Sequence, residues 1–106
     1  MYWYKNLYFG DNAKEKSKEL IHALKRKKVL PEVYVVALSE TSGNLLDIYE
    51  SVHFITGRSL VKTKTKPYIV GIAVGYSEAL ALVQNIIEDV YRDTGGFDVA
   101  GYFGLE

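Results

Sequence analysis

The run Tyr68-Ile69-Val70-Gly71-Ile72-Ala73-Val74, followed at once by Gly75-Tyr76-Ser77-Glu78-Ala79, decides the fold. It carries no charge and is apolar at odd and even positions alike, which suits a strand buried on both faces at the centre of a sheet. The glycine then turns the chain, and Ser77 offers a hydroxyl for the N-cap of a helix over 78–93. Thr94-Gly95-Gly96 ends that helix, since glycine suits the left-handed exit. Beyond it Phe97, Val99 and Phe103 alternate with Asp98, Ala100 and Tyr102, the pattern of a closing strand over 97–103.

Toward the N-terminus the same order appears once more. Trp3, Leu7 and Phe9 alternate with Tyr4, Asn6 and Tyr8, predicting a strand over 3–9. Gly10-Asp11-Asn12 turns the chain, and Asn12 with Glu15 has the spacing of a capping box. A helix over 13–27 follows, with Ala13, Ser17, Leu20, Ile21 and Leu24 as a narrow apolar stripe. Its basic end meets the negative end of the helix dipole. Pro31 prevents continuation, and 32–38 reads as an interior strand. Residues 45–55 are ambiguous between strand and helix, and 46–49 is read as a short strand. Lys62, Lys64 and Lys66 alternate with threonines in a basic loop over 57–66, a pattern that can protect a frayed edge.

These elements predict a single α/β domain over residues 1–106. It has a mixed sheet of four to five strands, two helices mainly on one face, and two β-α-β units in a ferredoxin-like or related arrangement. A chain of 106 residues has room for one domain.

Composition excludes whole classes of chemistry. There is no cysteine, so disulfides, thiol catalysis and cysteine-ligated zinc or iron–sulfur centres are impossible. His22 and His53 stand far apart without ligand spacing, and Lys25 and Arg26 sit one turn beyond His22. No metal site and no cofactor is expected. Gly75-Tyr76-Ser77 has the strand–turn–helix setting of a serine nucleophile, but position 79 is alanine and the elbow pattern fails. No nucleophile–base pair emerges, so the reading leans away from an enzyme. The start of the chain lacks the pattern of a signal peptide, and no apolar run reaches the ~20 residues of a membrane helix. A cytoplasmic protein that does not enter membranes is expected.

Thirteen basic residues balance thirteen acidic ones. They are unevenly placed: residues 1–66 hold 12 Lys/Arg against 7 Asp/Glu, a net +5, and residues 67–106 hold 1 against 6, a net −5. Two solvated faces of opposite sign explain this, as does electrostatic registration of two subunits.

Three functional readings follow. The first is a non-catalytic, self-associating or protein-interaction module. Its basis is the second helix, whose apolar residues exceed the ~100° face a surface helix needs. Leu80, Leu82, Ile86 and Ile87 are the candidate interface residues, and a homo-oligomer is the expected partner state. Extra packing within the chain is the competing explanation. The second is binding of a small ligand or nucleotide at Gly10, Asp11, Asn12, Gly75, Tyr76 and Ser77, two turns expected at the same end of the sheet. No Walker or dinucleotide pattern accompanies them. The third is nucleic-acid binding through Lys25, Arg26, Lys28, Arg58, Lys62, Lys64 and Lys66, with sheet aromatics to stack bases. The balanced net charge and the absence of an RNP pattern on 68–74 speak against it. Aromatic Tyr2, Trp3 and Tyr4 imply an N-terminal strand anchored in the core or in a contact surface.

Several short stretches resemble a group of small, uncharacterised bacterial proteins typical of clostridia-like Gram-positive species. They are Tyr4-Lys5-Asn6-Leu7-Tyr8, Leu46-Asp47-Ile48-Tyr49, Tyr68-Ile69-Val70-Gly71-Ile72-Ala73, Glu78-Ala79-Leu80, Glu88 with Val90-Tyr91, Thr94-Gly95 and Asp98. The resemblance covers most of the chain. It implies a compact bacterial cytosolic domain and carries no activity.

Overall fold

The structure, a computed structural model, describes residues 2–26, 28, 30–38, 46–51 and 68–103. The elements are β1 (Tyr2–Phe9), α1 (Asp11–Glu15), α2 (Ser17–Lys25), β2 (Val33–Leu38), β3 (Leu46–Glu50), β4 (Tyr68–Val74), α3 (Tyr76–Thr94) and α4 (Val99–Tyr102). The chain is α/β, and its sheet is mixed and four-stranded in the order β1-β4-β2-β3. β4 runs parallel to β1 and antiparallel to β2, and β3 is antiparallel to β2. The two most apolar strands thus occupy the middle, as their sequences require. β1 bulges against β4. Trp3 pairs with Ile69 and Tyr8 with Gly71, so the four residues 4–7 lie opposite Val70 alone.

Alternation along β2 separates two cores. Val33, Val35 and Ala37 pack with Ala13, Leu20 and Leu24 of the first helical layer. Val36 packs with Ala79, Leu82, Ile86 and Val90 of α3. Successive strand residues point to opposite faces, so α1 and α2 cover one face of the sheet and α3 the other. This corrects the expectation of two helices on one face. The cause is the apolar character of β2 and β4 on both faces, which one helical layer cannot bury. Gly71 allows α3 to approach closely. A Cβ there would lie 2.9 Å from Leu82 Cδ2 and 3.3 Å from the Tyr8 carbonyl oxygen.

Neither expected β-α-β unit forms: β2 runs antiparallel to β1 with β4 between them, and the stretch expected as the last strand holds the helix α4. Val99 and Phe103 are four apart and both buried. Their spacing satisfies a helical turn as well as it satisfies alternation. Asp98 decides between them, since its Oδ1 accepts from the Gly101 N–H at 3.0 Å and caps the turn. Phe103 then packs edge-on against Tyr4, ring centroids 4.7 Å apart. Tyr8, on β1, donates to Asp89 Oδ2 of α3 at 2.9 Å, and its oxygen lies 2.9 Å from the Tyr102 hydroxyl of α4. Burial, with these two hydrogen bonds, pushes the Tyr8 phenol above its ordinary range. It stays neutral and joins three elements.

The expected first helix is two helices. At Lys16 the backbone leaves the α region (φ −115°, ψ 22°), and its N–H bonds to Ala13 O three residues back. Neither expected side-chain cap forms. The N-cap positions are Gly10 and Gly75, without side-chain cap bonds, and Asn12 and Ser77 fall inside the first turns of α1 and α3. The exit of α3 is as expected. Gly95 is left-handed (φ 76°), and its N–H bonds to Tyr91 O at 2.8 Å.

Candidate functional site

Because β1 and β4 are parallel neighbours, their C-terminal ends meet at one end of the sheet. The turn after β1 leads α1 to one face, and the turn after β4 leads α3 to the other. Divergence of this kind opens a crevice at the strand ends, the usual ligand position of open α/β sheets. Here it is a cleft of about 270 Å³ lined by Gly10, Asp11, Asn12, Ser77, Glu78 and Asn85, with Phe9, Ala81 and Leu82. Four of the six expected ligand residues line it. Gly75 and Tyr76 do not, and the Tyr76 ring packs on Tyr34 at 5.7 Å.

Glu78 dominates the cleft. Its Oε1 accepts from the Asn12 N–H at 2.7 Å, and its Oε2 accepts from Val74 N–H at 2.7 Å and Ala13 N–H at 3.3 Å. Burial works toward the neutral acid, but these backbone donors outweigh it and hold the carboxyl below its usual range. Gly10 is the condition for this contact. A Cβ there would lie within 2.2 Å of Glu78 Cγ. The N–H groups at the start of α1, where a phosphate would bind, are therefore bonded to the chain's own carboxylate. Asp11 adds a second negative charge, and among the described residues no basic side chain lines the cleft. The cleft thus suits small polar ligands that are neutral or cationic better than anions. Asn85 was absent from the sequence reading. The available signal was its spacing, seven residues beyond Glu78 on the same helix face.

The second candidate surface is the outer flank of α3. Of the four expected interface residues, Leu82 and Ile86 are buried under the helix and belong to the core. The reason is phase, since they point with Ala79 and Val90 at the sheet. Leu80 is 48 % exposed and Ile87 half-buried. Beside them stand Tyr76 and Tyr91, both 56 % exposed, and Phe97, 55 % exposed. The Tyr91 and Phe97 rings lie 5.5 Å apart.

Of the basic candidates, Lys25, Arg26 and Lys28 are exposed at and beyond the end of α2. Lys25 Nζ lies 5.5 Å above the Trp3 ring, and Arg26 approaches His22 Nε2 at 3.4 Å. Arg58, Lys62, Lys64 and Lys66 lie outside the described residues, as does His53. Among the described residues no three His, Asp or Glu side chains gather as a metal site, and no helix is long and apolar enough to cross a membrane. No protein-family model matches the chain, and no curated protein or solved structure does either.

Proposed function

We propose that this chain is a non-catalytic cytoplasmic module that acts by associating with protein, its own copies included. One observation carries the reading. α3 buries a complete apolar face against the sheet and still presents Tyr76, Leu80, Ile87 and Tyr91 along its outer flank. Removing a large apolar side chain from water contributes ~1.5–3 kcal/mol. A row of them on a chain this small marks a contact surface. Gel filtration with light scattering over a range of concentrations tests it. The wild-type chain is expected to run above its monomer mass and the Leu80→Glu variant at it. A monomeric wild type with no detectable protein contact at Leu80 removes the reading.

A second reading rests on the cleft between the ends of β1 and β4. Its position and its acidic lining favour a small neutral or positively charged polar ligand over a nucleotide. A thermal-shift screen of amines, amides and nucleotides separates these, with stabilisation expected from the first two classes and none from nucleotides.

A further inference from the structure

We infer that two copies of this chain pair through α3, antiparallel, about a two-fold axis passing between Val83 and Gln84. This inference rests on the self-association reading and adds its geometry. A two-fold contact must be self-complementary, because the same patch supplies both sides. The outer flank of α3 meets that condition in its order of residues. Tyr76 and Tyr91 are equidistant from the 83/84 midpoint, and so are Leu80 and Ile87. At 100° per residue these four positions, with Val83 and Gln84, fall within about 100° of the helix circumference. They form one uncharged stripe about 22 Å long from Tyr76 to Tyr91.

Laid antiparallel on a second α3, this stripe sets each Leu80 against the other copy's Ile87, and each Tyr76 beside the other copy's Tyr91. Val83 and Gln84 each meet their own copies near the axis. Both terminal tyrosines are already held by an aromatic of their own chain: Tyr76 by Tyr34 at 5.7 Å and Tyr91 by Phe97 at 5.5 Å. Anchors fixed in advance lose less freedom on binding. Charge agrees with the register. Glu88, on the rim of the stripe, falls opposite Ser77 and Ala81 of the second copy, so no like charges meet. Antiparallel helix dipoles are also the favourable arrangement. A parallel pairing would set Leu80 on Leu80 and Ile87 on Ile87, lose the Leu80–Ile87 match and align the two helix dipoles unfavourably. An unrelated partner would not require the stripe to be symmetric at all.

The absence of native cysteine makes a clean test. Gln84 is exposed, and its side chain donates to Glu88 Oε1 one turn on, so Gln84→Cys leaves the core untouched. With helix axes ~8–10 Å apart, the two Cα atoms at 84 come about 6 Å apart, inside disulfide range. Lys18→Cys, exposed on α2 over the opposite face, reports chance collision. Each variant is oxidised mildly, and covalent dimer is followed on non-reducing gels, with wild-type mass measured in parallel. We expect a wild-type dimer, with Gln84→Cys linking at least about tenfold faster than Lys18→Cys, because pairing holds the thiols at mM effective concentration. A wild-type dimer in which both variants link equally slowly overturns the two-fold pairing and leaves self-association standing. A wild-type monomer at the concentrations used overturns both.

Discussion

On one face of the sheet, α2 buries Leu20 and Leu24 and shows solvent Lys18, Glu19, His22 and Lys25. On the other, α3 buries Ala79, Leu82, Ile86 and Val90 and still shows solvent Tyr76, Leu80 and Tyr91. The two layers cover the same central strands, so the difference does not come from what the sheet needs. It lies in the outer surface, which is charged in one layer and apolar in the other. An amphipathic helix in a small domain requires only its inner stripe. Ile87 and Val83 reach that core from the edge, but Tyr76, Leu80 and Tyr91 stay largely exposed above it, and this contrast makes the outer row the candidate for function.

The comparison breaks most visibly if inner and outer residues of α3 turn out to be energetically alike. Ile86→Ala, at a fully buried position beneath α3, is expected to cost ~2–5 kcal/mol through lost burial and the cavity left behind. Leu80→Ala, a third of a turn round on the outer flank, is expected to change protomer stability by less than ~0.5 kcal/mol. Urea unfolding at concentrations too low for association measures both. Equal losses would mean that Leu80 belongs to the core.

The two strand-to-helix turns sharpen the same contrast, because one side chain serves both. Glu78 leaves the α3 turn and bonds Asn12 and Ala13 at the α1 turn. Gly10→Ala sets a methyl group against that side chain and is expected to cost ~1–3 kcal/mol. Glu78→Ala leaves the Val74, Asn12 and Ala13 N–H groups without their acceptor and is expected to cost a similar ~1–3 kcal/mol. If one residue holds the two turns together, the Gly10→Ala, Glu78→Ala double variant loses less than the sum of the single losses, the coupling a double-mutant cycle measures.

The charge on Glu78 gives the next smaller effect. Its carboxyl ionises more readily folded than unfolded, so its contribution to stability is whole above the unfolded value, about 4.5, and is lost as pH falls through the depressed folded value. Glu78→Gln should flatten the fall of stability over that acid window and leave its slope near neutrality unchanged. Thermal melts of both proteins from neutral to acid pH read this directly. A parallel pair of curves displaced by a constant amount would remove Glu78 as the source.

How far these features were legible in the sequence depends on the range of the interactions that make them. β4 and β2 announce themselves through uninterrupted apolar runs, and Gly95 announces the end of α3. Each of those signals is local. The meeting of the two turns at one end of the sheet was also readable, as it needs only that β1 and β4 run parallel. The distribution of helices over two faces was harder, because a strand apolar on both sides does not say which helix goes where. α4 was misread because Val99 and Phe103 fit both periods. The deciding residues were Asp98 and Gly101, a cap three residues apart. Glu78 was the least legible, since two of its three backbone donors lie more than sixty residues away on α1.

The smallest predicted effect separates a local cap from a long-range one. Ser77 has the residue type and the position of an N-cap, yet it lies one residue inside α3 and makes no cap bond. Asp98 sits at the start of a single turn and does make one. Replacing a working cap by alanine costs ~0.5–2 kcal/mol, so Asp98→Ala is expected in that range and Ser77→Ala below about 0.5 kcal/mol. Both residues are exposed, so neither substitution opens a cavity in the core. What differs is whether a backbone N–H loses its acceptor. A loss at Ser77 equal to that at Asp98 would mean that the start of α3 is held by Ser77, and that Glu78 does not do for α3 what it does for α1.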